Sequence, residues 1–151
     1  MARSQVKQTP HNFVWNFFAN PEHLGGYRVE TMRSFLKDLN MGKVQGRYLP
    51  QSLPKLYFGD EQFDLAVCSH LLFLYSDQLS LDFHRESIQE LVRVSREVRV
   101  FPLLALDCRK SPHISPIQSC FRDMGYAIDI LHVPYEFQKG GNEMMRIRRN
   151  T

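Results

Sequence analysis

Hydrophobic positions change their spacing along the chain, and after residue 62 this change predicts alternating strands and helices. The segment FDLAVCSHLLFLY contains an unbroken apolar run over 65–68, which is typical of a strand buried on both faces in the centre of a parallel sheet. The segment EVRVFPLLAL predicts a second buried strand for the same reason. The first of these strands is therefore expected in the interior of the sheet, not at its edge.

Two helices are expected around the second of these strands. Between residues 81 and 95 the apolar positions keep a 3.6-residue period, and Asp77 or Asp82 is the expected N-cap. The segment SPHISPIQSCFRDMG predicts a shorter helix, with Ser115 as its N-cap and Gly125 just past its end. The order strand, helix, strand, helix is that of a right-handed α/β layer.

The last two apolar runs, YAIDILHV and NEMMRIRR, predict two more strands joined by the segment PYEFQKGG. Gly140 and Gly141 permit the chain to reverse its direction there, so the two strands should pair antiparallel. The predicted fold class is therefore α/β, with an antiparallel strand at the end of the chain and helices flanking the sheet.

The first third of the chain predicts less regular structure. A polar, disordered arm is expected over residues 1–10, followed by a single α/β domain over 11–151. The aromatic segment HNFVWNFFAN predicts a brief helix or an apolar arm. Spacings of three and four between Leu24 and Leu39 predict a helix with one apolar face, and Gly42 is its expected stop.

Composition excludes several classes of protein. At 151 residues and 43% hydrophobic content, the chain is long and apolar enough for an ordered core. Three cysteines without CxxC spacing predict no disulfide framework and favour a reducing cytoplasm. His84, His113 and His132 lack the short spacings of a zinc site, so no metal is expected. No apolar run reaches about 18 residues, so no membrane association is expected.

The charge of the chain does not identify a partner, and a small-molecule acceptor is expected rather than nucleic acid. The formal charge of +3 is too small and too dispersed to predict nucleic-acid binding. Arg146, Arg148 and Arg149 can contact phosphate, but arginines that alternate with apolar residues are more typical of the wet face of a strand.

The stretch LPKLYFGDEQFDLAVCSHLLF resembles the part of class I (Rossmann-like) methyltransferases in which a loop of the form LPF leads into FD and the fourth strand. The segments SLPKL, VRVFPLL, SPH and VPYEFQKGGNEM extend the resemblance to bacterial S-adenosylmethionine-dependent methyltransferases, from about His11 to Arg149. That fold has seven strands in the order 3-2-1-4-5-7-6. The resemblance implies a partial sheet of strands 4-5-7-6, with the last strand antiparallel.

The resemblance also implies that the main cofactor motif is missing. The family holds S-adenosylmethionine on a glycine-rich turn after its first strand and on an acidic residue that ends its second. The glycine pairs of this chain, at 25–26 and 140–141, do not follow a predicted strand and open a helix. Cofactor binding is therefore expected to need a missing N-terminal half or a second chain.

The candidate catalytic residues lie where the first predicted strand ends. Ser69 and His70 occupy the position at which open α/β sheets bind ligands, and the family holds the transferred methyl group beside it. His70 is the candidate general base, because imidazole titrates near neutral pH, and Tyr75 is the second candidate. The alternative is that His70 only hydrogen-bonds a neighbouring loop.

The candidate cofactor-binding residues come from the same resemblance. Gln51, Ser52 and Leu53 fall where the family contacts adenine, and Ser69 completes the set. An ordinary proline-bounded loop is the alternative for the first three. The loop over 135–139 can overhang the sheet and line an acceptor pocket, or it can be a solvated hairpin connection.

A strand that lacks its expected neighbour exposes a row of unpaired N–H and C=O groups. The chain is therefore expected to form a homodimer, by strand addition or domain exchange, or to complement a separate N-terminal chain. The predicted function is an S-adenosylmethionine-dependent methyltransferase-like protein whose acceptor the sequence does not name. The alternative is a catalytically silent homologue that acts as an oligomerisation or interaction module.

Overall fold

The computed structural model describes residues 9–150, and the chain forms two compact units that divide between Gln51 and Ser52. The single domain over 11–151 stays a prediction. Within the described range, none of the helices combines the length and the apolar content needed for a transmembrane span.

The N-terminal unit begins with a short and mostly irregular segment. The arm predicted over residues 1–10 falls outside the described range except for its last two residues. Pro10–Asn12 form one turn of 3-10 helix, so the brief helix predicted in HNFVWNFFAN is confined to the start of that segment. The indole N–H of Trp15 donates back to the Pro10 carbonyl at 3.1 Å.

One long helix, α1, spans Pro21–Val44 in this unit. Asn20 caps it, because the side-chain oxygen accepts the His23 N–H at 2.8 Å. The expected stop at Gly42 is wrong. The helix continues for two more residues, and Gly46 leaves it in the left-handed region at φ +69°.

The spacing of apolar residues in α1 does not produce a buried face. Leu24 is buried, whereas Met32, Phe35 and Leu36 are exposed. A helical period shows which side chains share a face, but burial also needs a surface for that face to contact. The single apolar face predicted from the spacing is therefore only partly realised.

Two glycines of α1 are expected to respond in opposite directions to alanine. A Cβ at Gly26 meets no atom within 4 Å, so Gly26→Ala should raise stability by about 1 kcal/mol through helix propensity. A Cβ at Gly42 overlaps the ring of Tyr48, whose hydroxyl donates to Asp38 at 2.7 Å. Gly42→Ala should displace that ring, and because this overpacking costs more than the helix propensity gained, it should lower stability by about 1 kcal/mol. Urea unfolding followed by circular dichroism measures both, and equal shifts would contradict the close approach.

The C-terminal unit contains a four-stranded mixed sheet. Its strands are β1 (Phe63–Ser69), β2 (Ser95–Phe101), β3 (Tyr126–His132) and β4 (Glu143–Arg149). They lie in the order β1-β2-β4-β3, with β1 and β2 parallel and β4 antiparallel to both of its neighbours. The α/β class and the antiparallel pairing of the last two strands are confirmed.

Two helices, α2 (Leu81–Val94) and α3 (Ile114–Asp123), pack on one face of this sheet. Val98 and Val100 of β2 are fully buried beneath them, because alternate side chains of a strand point to the same face. The core also contains Ile88, Leu91 and Val92 of α2, Ile117 and Phe121 of α3, and Met145 and Ile147 of β4.

The starts of α2 and α3 differ from the sequence predictions by two or three residues. Ser80 caps α2 by accepting the Phe83 N–H at 3.1 Å, so neither of the two predicted aspartates is the N-cap. His113 precedes α3, so Ser115 lies inside its first turn. Gly125 follows α3 at φ +86°, as predicted, because only glycine adopts this region without strain.

The interior position predicted for residues 65–68 is wrong for this chain. β1 lies at the edge of the sheet and pairs on one side, with β2. Cys68 points to the helices and is buried, whereas Leu65 and Val67 point to the other face, hereafter the open face, and are 43% and 65% exposed. An apolar run indicates what a strand prefers to contact. Within residues 52–150, no strand supplies that contact on the outer side of β1.

Candidate functional site

The carboxyl ends of β1 and β2 bring Ser69 and His70 beside Phe101. Ser69 is opposite Phe101 across the two strands, and the His70 N–H donates to the Phe101 carbonyl at 2.8 Å. Ser69 Oγ lies 2.7 Å from His70 Nδ1, and this hydrogen bond orients the imidazole. His70 has a φ of +58°, a conformation that costs a non-glycine residue about 1–3 kcal/mol and that concentrates at functional sites.

The turn that follows His70 is held by a buried histidine of α2. His84 Nε2 accepts the Phe73 N–H at 2.9 Å, and His84 Nδ1 lies 2.8 Å from the Ser80 carbonyl. Because a carbonyl only accepts, Nδ1 carries the proton and the ring is neutral. Tyr75, the second candidate catalytic residue, lies half-buried in the same turn.

Burial lowers the pKa of His84, the hydrogen bond to the Ser80 carbonyl opposes this with a smaller effect, and the neighbouring His113 adds a still smaller lowering. The two imidazole centroids are 4.6 Å apart. His113 Nε2 lies 3.2 Å from the Leu79 carbonyl. Both nitrogens of His84 contact protein atoms, so the pair holds the turn and presents no ligand set. Among residues 9–150, no three His, Cys, Asp or Glu side chains converge as metal ligands.

A row of three rings continues this site along the edge of the sheet. The His70 and Phe101 centroids are 5.7 Å apart, and the Phe101 and Tyr135 centroids are 6.0 Å apart. Both ring pairs are edge-to-face, at 75° and 66°. Sequence reasoning reached Tyr135 but missed Phe101, because a phenylalanine inside EVRVFPLLAL has the pattern of a core residue. Ser69, His70, Phe101 and Tyr135 are hereafter the carboxyl-edge site.

The loop that carries Tyr135 is anchored to the core. Phe137 and Gln138 in this loop are buried, and Gln138 Nε2 donates to the Ala105 carbonyl at 3.3 Å. A solvated hairpin connection does not need such contacts. The position of Tyr135 beside Phe101 is therefore fixed by the packing of its own loop.

The four residues predicted to bind the cofactor do not lie together. Ser52 and Leu53 form a tight turn, and Leu53 packs against the core. The backbone that follows donates to Glu90, near the end of α2, at 2.8 Å, which places this loop at the amino end of β1. Ser69 lies at the carboxyl end, about 20 Å away along the strand. Gln51 ends the N-terminal unit.

The C-terminal arginines are engaged in ion pairs. Asp129 accepts from Arg146 at 2.7 Å and from Arg148 at 3.2 Å, and Arg146 lowers the pKa of the Asp129 carboxyl. Arg149 pairs with Glu61 at 2.8 Å. Because a carboxylate already opposes each guanidinium, these contacts favour the wet face of a strand over a phosphate site.

An uncharacterized protein of Methanocaldococcus jannaschii is similar to nearly the whole chain. The two are 36% identical over 139 residues, which cover 92% of this chain and 60% of that protein. The chain therefore spans about three fifths of the length of the relative it matches. No protein-family model matches the chain. No solved structure has significant similarity to it.

Proposed function

We propose that this chain is a methyltransferase-like α/β domain that uses S-adenosylmethionine when a missing N-terminal half or a second chain pairs with β1 and supplies the cofactor half. The order of the strands carries this proposal. The arrangement β1-β2-β4-β3, with β4 antiparallel to its neighbours, corresponds to strands 4-5-7-6 of the resembling fold. In that fold the first strand lies next to the fourth, which here is the outer side of β1.

The outer edge of β1 supports the need for a partner. An edge strand with exposed apolar side chains is a template for strand addition, and Leu65 and Val67 are such side chains. Of the two partners considered, a separate N-terminal chain is favoured over a second copy. A second copy repeats the same strands and brings no glycine-rich turn.

Within residues 9–150, the residues predicted to bind the cofactor do not converge on one site. Ser52 and Leu53 lie at the opposite end of β1 from Ser69, and Leu53 packs into the core. What the chain contributes in this proposal is the acceptor side of the sheet. There Ser69 orients His70, which is the candidate base, and Tyr75 follows in the turn held by His84.

Binding of tritiated S-adenosylmethionine tests the proposal in two preparations. One is the tagged chain purified from its own cells with its partners, and the other is the recombinant chain alone. We expect saturable binding to the first, displaced by S-adenosylhomocysteine, and binding at least about tenfold weaker to the second, a difference of about 1.4 kcal/mol. Absence of binding in both preparations would reject the proposal. Equal binding would reject the need for a second chain.

A catalytically silent interaction module is the second candidate function. The separation of Ser52 and Leu53 from Ser69 favours it, because no other described residues replace the missing glycine-rich turn at the carboxyl ends of β1 and β2. An assembly that purifies intact but does not bind labelled S-adenosylmethionine is the result expected of such a module.

A further inference from the structure

We infer that a cavity at the amino end of the sheet binds a small zwitterion with an apolar side chain, of which a free α-amino acid is the simplest example. This inference goes beyond the proposed function and does not depend on it, because the cavity lies at the opposite end of the sheet from the carboxyl-edge site. The cavity, hereafter the amino-end cavity, is lined by residues 54–55 of the loop before β1, the outer side of α2, Met124 and Tyr126 around the start of β3, and Arg149 at the end of β4. Its volume of about 520 Å³ lies within the range of small-molecule sites.

Three of the charged side chains that line the amino-end cavity are already neutralised. Arg93 donates to Glu90 at 2.7 Å and to Asp60 at 2.7 Å, and Arg149 pairs with Glu61 at 2.8 Å. Arg93 also donates to two backbone carbonyls of the loop before β1, at 2.9 and 3.3 Å. These contacts hold the walls of the cavity in place, and groups that are already ordered lose little conformational entropy when a ligand binds.

One positive and one negative side chain of the cavity are left without a hydrogen-bonding partner. Among residues 9–150, neither the Lys55 ammonium nor the Glu86 carboxylate makes a hydrogen bond or an ion pair. Glu86 precedes Glu90 by one helical turn, which separates their Cβ atoms by about 6 Å. Lys55 lies beside Glu90, because the backbone N–H of the next residue donates to the Glu90 carboxylate at 2.8 Å.

The two unpaired charges therefore line one cavity about a helical turn apart. A ligand that carries a single charge satisfies one of them and leaves the other as it was. In a zwitterion the carboxylate can oppose Lys55 while the ammonium opposes Glu86, so both gain a partner. Gln89, in the same row of α2, adds an amide that can donate and accept.

The cavity also presents apolar surface on its other wall. Met124 is 48% exposed there, and Tyr126 is half-buried. The Tyr126 ring packs edge-to-face on the buried Phe121, with centroids 5.7 Å apart, which fixes its orientation. A ligand side chain that covers Met124 and this ring removes apolar surface from water. The ligand class is therefore a zwitterion with an apolar side chain.

NMR titrations of the whole chain with three related ligands test this inference. Phenylalanine carries both charges, 3-phenylpropionate lacks only its ammonium, and phenethylamine lacks only its carboxylate. We expect phenylalanine to bind at least about threefold more tightly than either analogue, which is the size of one partly exposed ion pair. The amide shifts should be confined to residues around the amino-end cavity. No cofactor is added, so the result is independent of S-adenosylmethionine binding.

Two variants assign the charges to their side chains. Lys55→Met should weaken phenylalanine and 3-phenylpropionate about threefold and should not weaken phenethylamine. Glu86→Gln should weaken phenylalanine and phenethylamine by a similar factor and should not weaken 3-phenylpropionate. Lys139→Met and Glu30→Gln are the matched controls, because both side chains are exposed and neither lines the cavity.

The ligand series on the unmodified chain tests the inference even if a variant does not fold, and thermal melts establish the folding of each variant. Phenylalanine that binds no more tightly than both analogues, or amide shifts that fall outside the cavity, would overturn the inference. Equal weakening of all three ligands in a folded variant would also overturn it, because a charge contact acts only on ligands that carry the opposite charge.

Discussion

Replacing His84 with alanine is expected to destabilise the C-terminal unit by about 3 kcal/mol. The imidazole is fully buried and accepts the Phe73 N–H at 2.9 Å. The variant leaves that N–H without its acceptor, which costs about 1–3 kcal/mol, and it opens a cavity beside α2, which adds to the loss. Urea unfolding followed by far-ultraviolet circular dichroism measures the difference.

His113→Ala is the control for this variant. His113 is only partly buried and contacts the Leu79 carbonyl at 3.2 Å, so its removal is expected to cost about 1 kcal/mol. A loss below about 1 kcal/mol for His84→Ala would show that the turn does not depend on the buried ring.

The same ring gives the stability a pH dependence of defined sign. Burial lowers the pKa of His84 in the folded state. Just below about pH 6.5, the ordinary pKa of histidine, the unfolded chain therefore protonates this imidazole more readily than the folded chain does. The stability that neutral His84 contributes is therefore fully present above about pH 6.5. It is lost as the pH falls from there through the lowered folded pKa. His84→Ala should remove this part of the pH dependence.

The elements of the C-terminal unit could be predicted because their signals are local. The 3.6-residue period over 81–95 depends only on that segment, and the structure has α2 there. The reversal at Gly140 is also local, since this residue adopts φ +76° between β3 and β4. Helix starts were less accurate, because several neighbouring side chains can cap a helix and only one has the required geometry.

The position of β1 in the sheet could not be predicted, because it depends on what lies beside the strand. The sequence shows that Leu65 and Val67 are apolar, but it does not show whether this chain covers them. The structure leaves both exposed at an edge. An apolar edge strand that lacks a neighbouring strand on its outer side within residues 52–150 is the feature on which the proposed pairing with a cofactor half rests.

The candidate site was predicted only in part for a similar reason. Ser69 and His70 follow directly from the end of an apolar run, and the structure brings them into hydrogen-bonding distance. Phe101 and Tyr135 reach the same site from elements far apart in sequence. The structural role of His84 also depends on contacts with a distant turn. Such contacts have no local signature in the sequence. The histidines were considered there only as metal ligands, and their spacing did not favour a metal site.

Blocking the outer edge of β1 is expected to abolish both association and cofactor retention in the native assembly. The His70 N–H points towards β2, because it donates to Phe101. Successive residues of a strand alternate in direction, so the Val67 N–H points outward. Val67→Pro removes that donor and keeps the bonds to β2, at a kind of position where edge strands accept proline. We expect the tagged variant to elute as a monomer and to retain no tritiated S-adenosylmethionine above background.

Val67→Thr is the matched control, because threonine keeps both the N–H and the β-branched shape that suits a strand. It should associate and retain label as the unmodified chain does. Both variants should unfold within about 1 kcal/mol of the unmodified chain, since the ladder between β1 and β2 is intact in each. If Val67→Pro still purifies with its partner and the label, then the partner does not join at β1. The correspondence of β1 with an interior strand of a larger sheet would then have no physical basis.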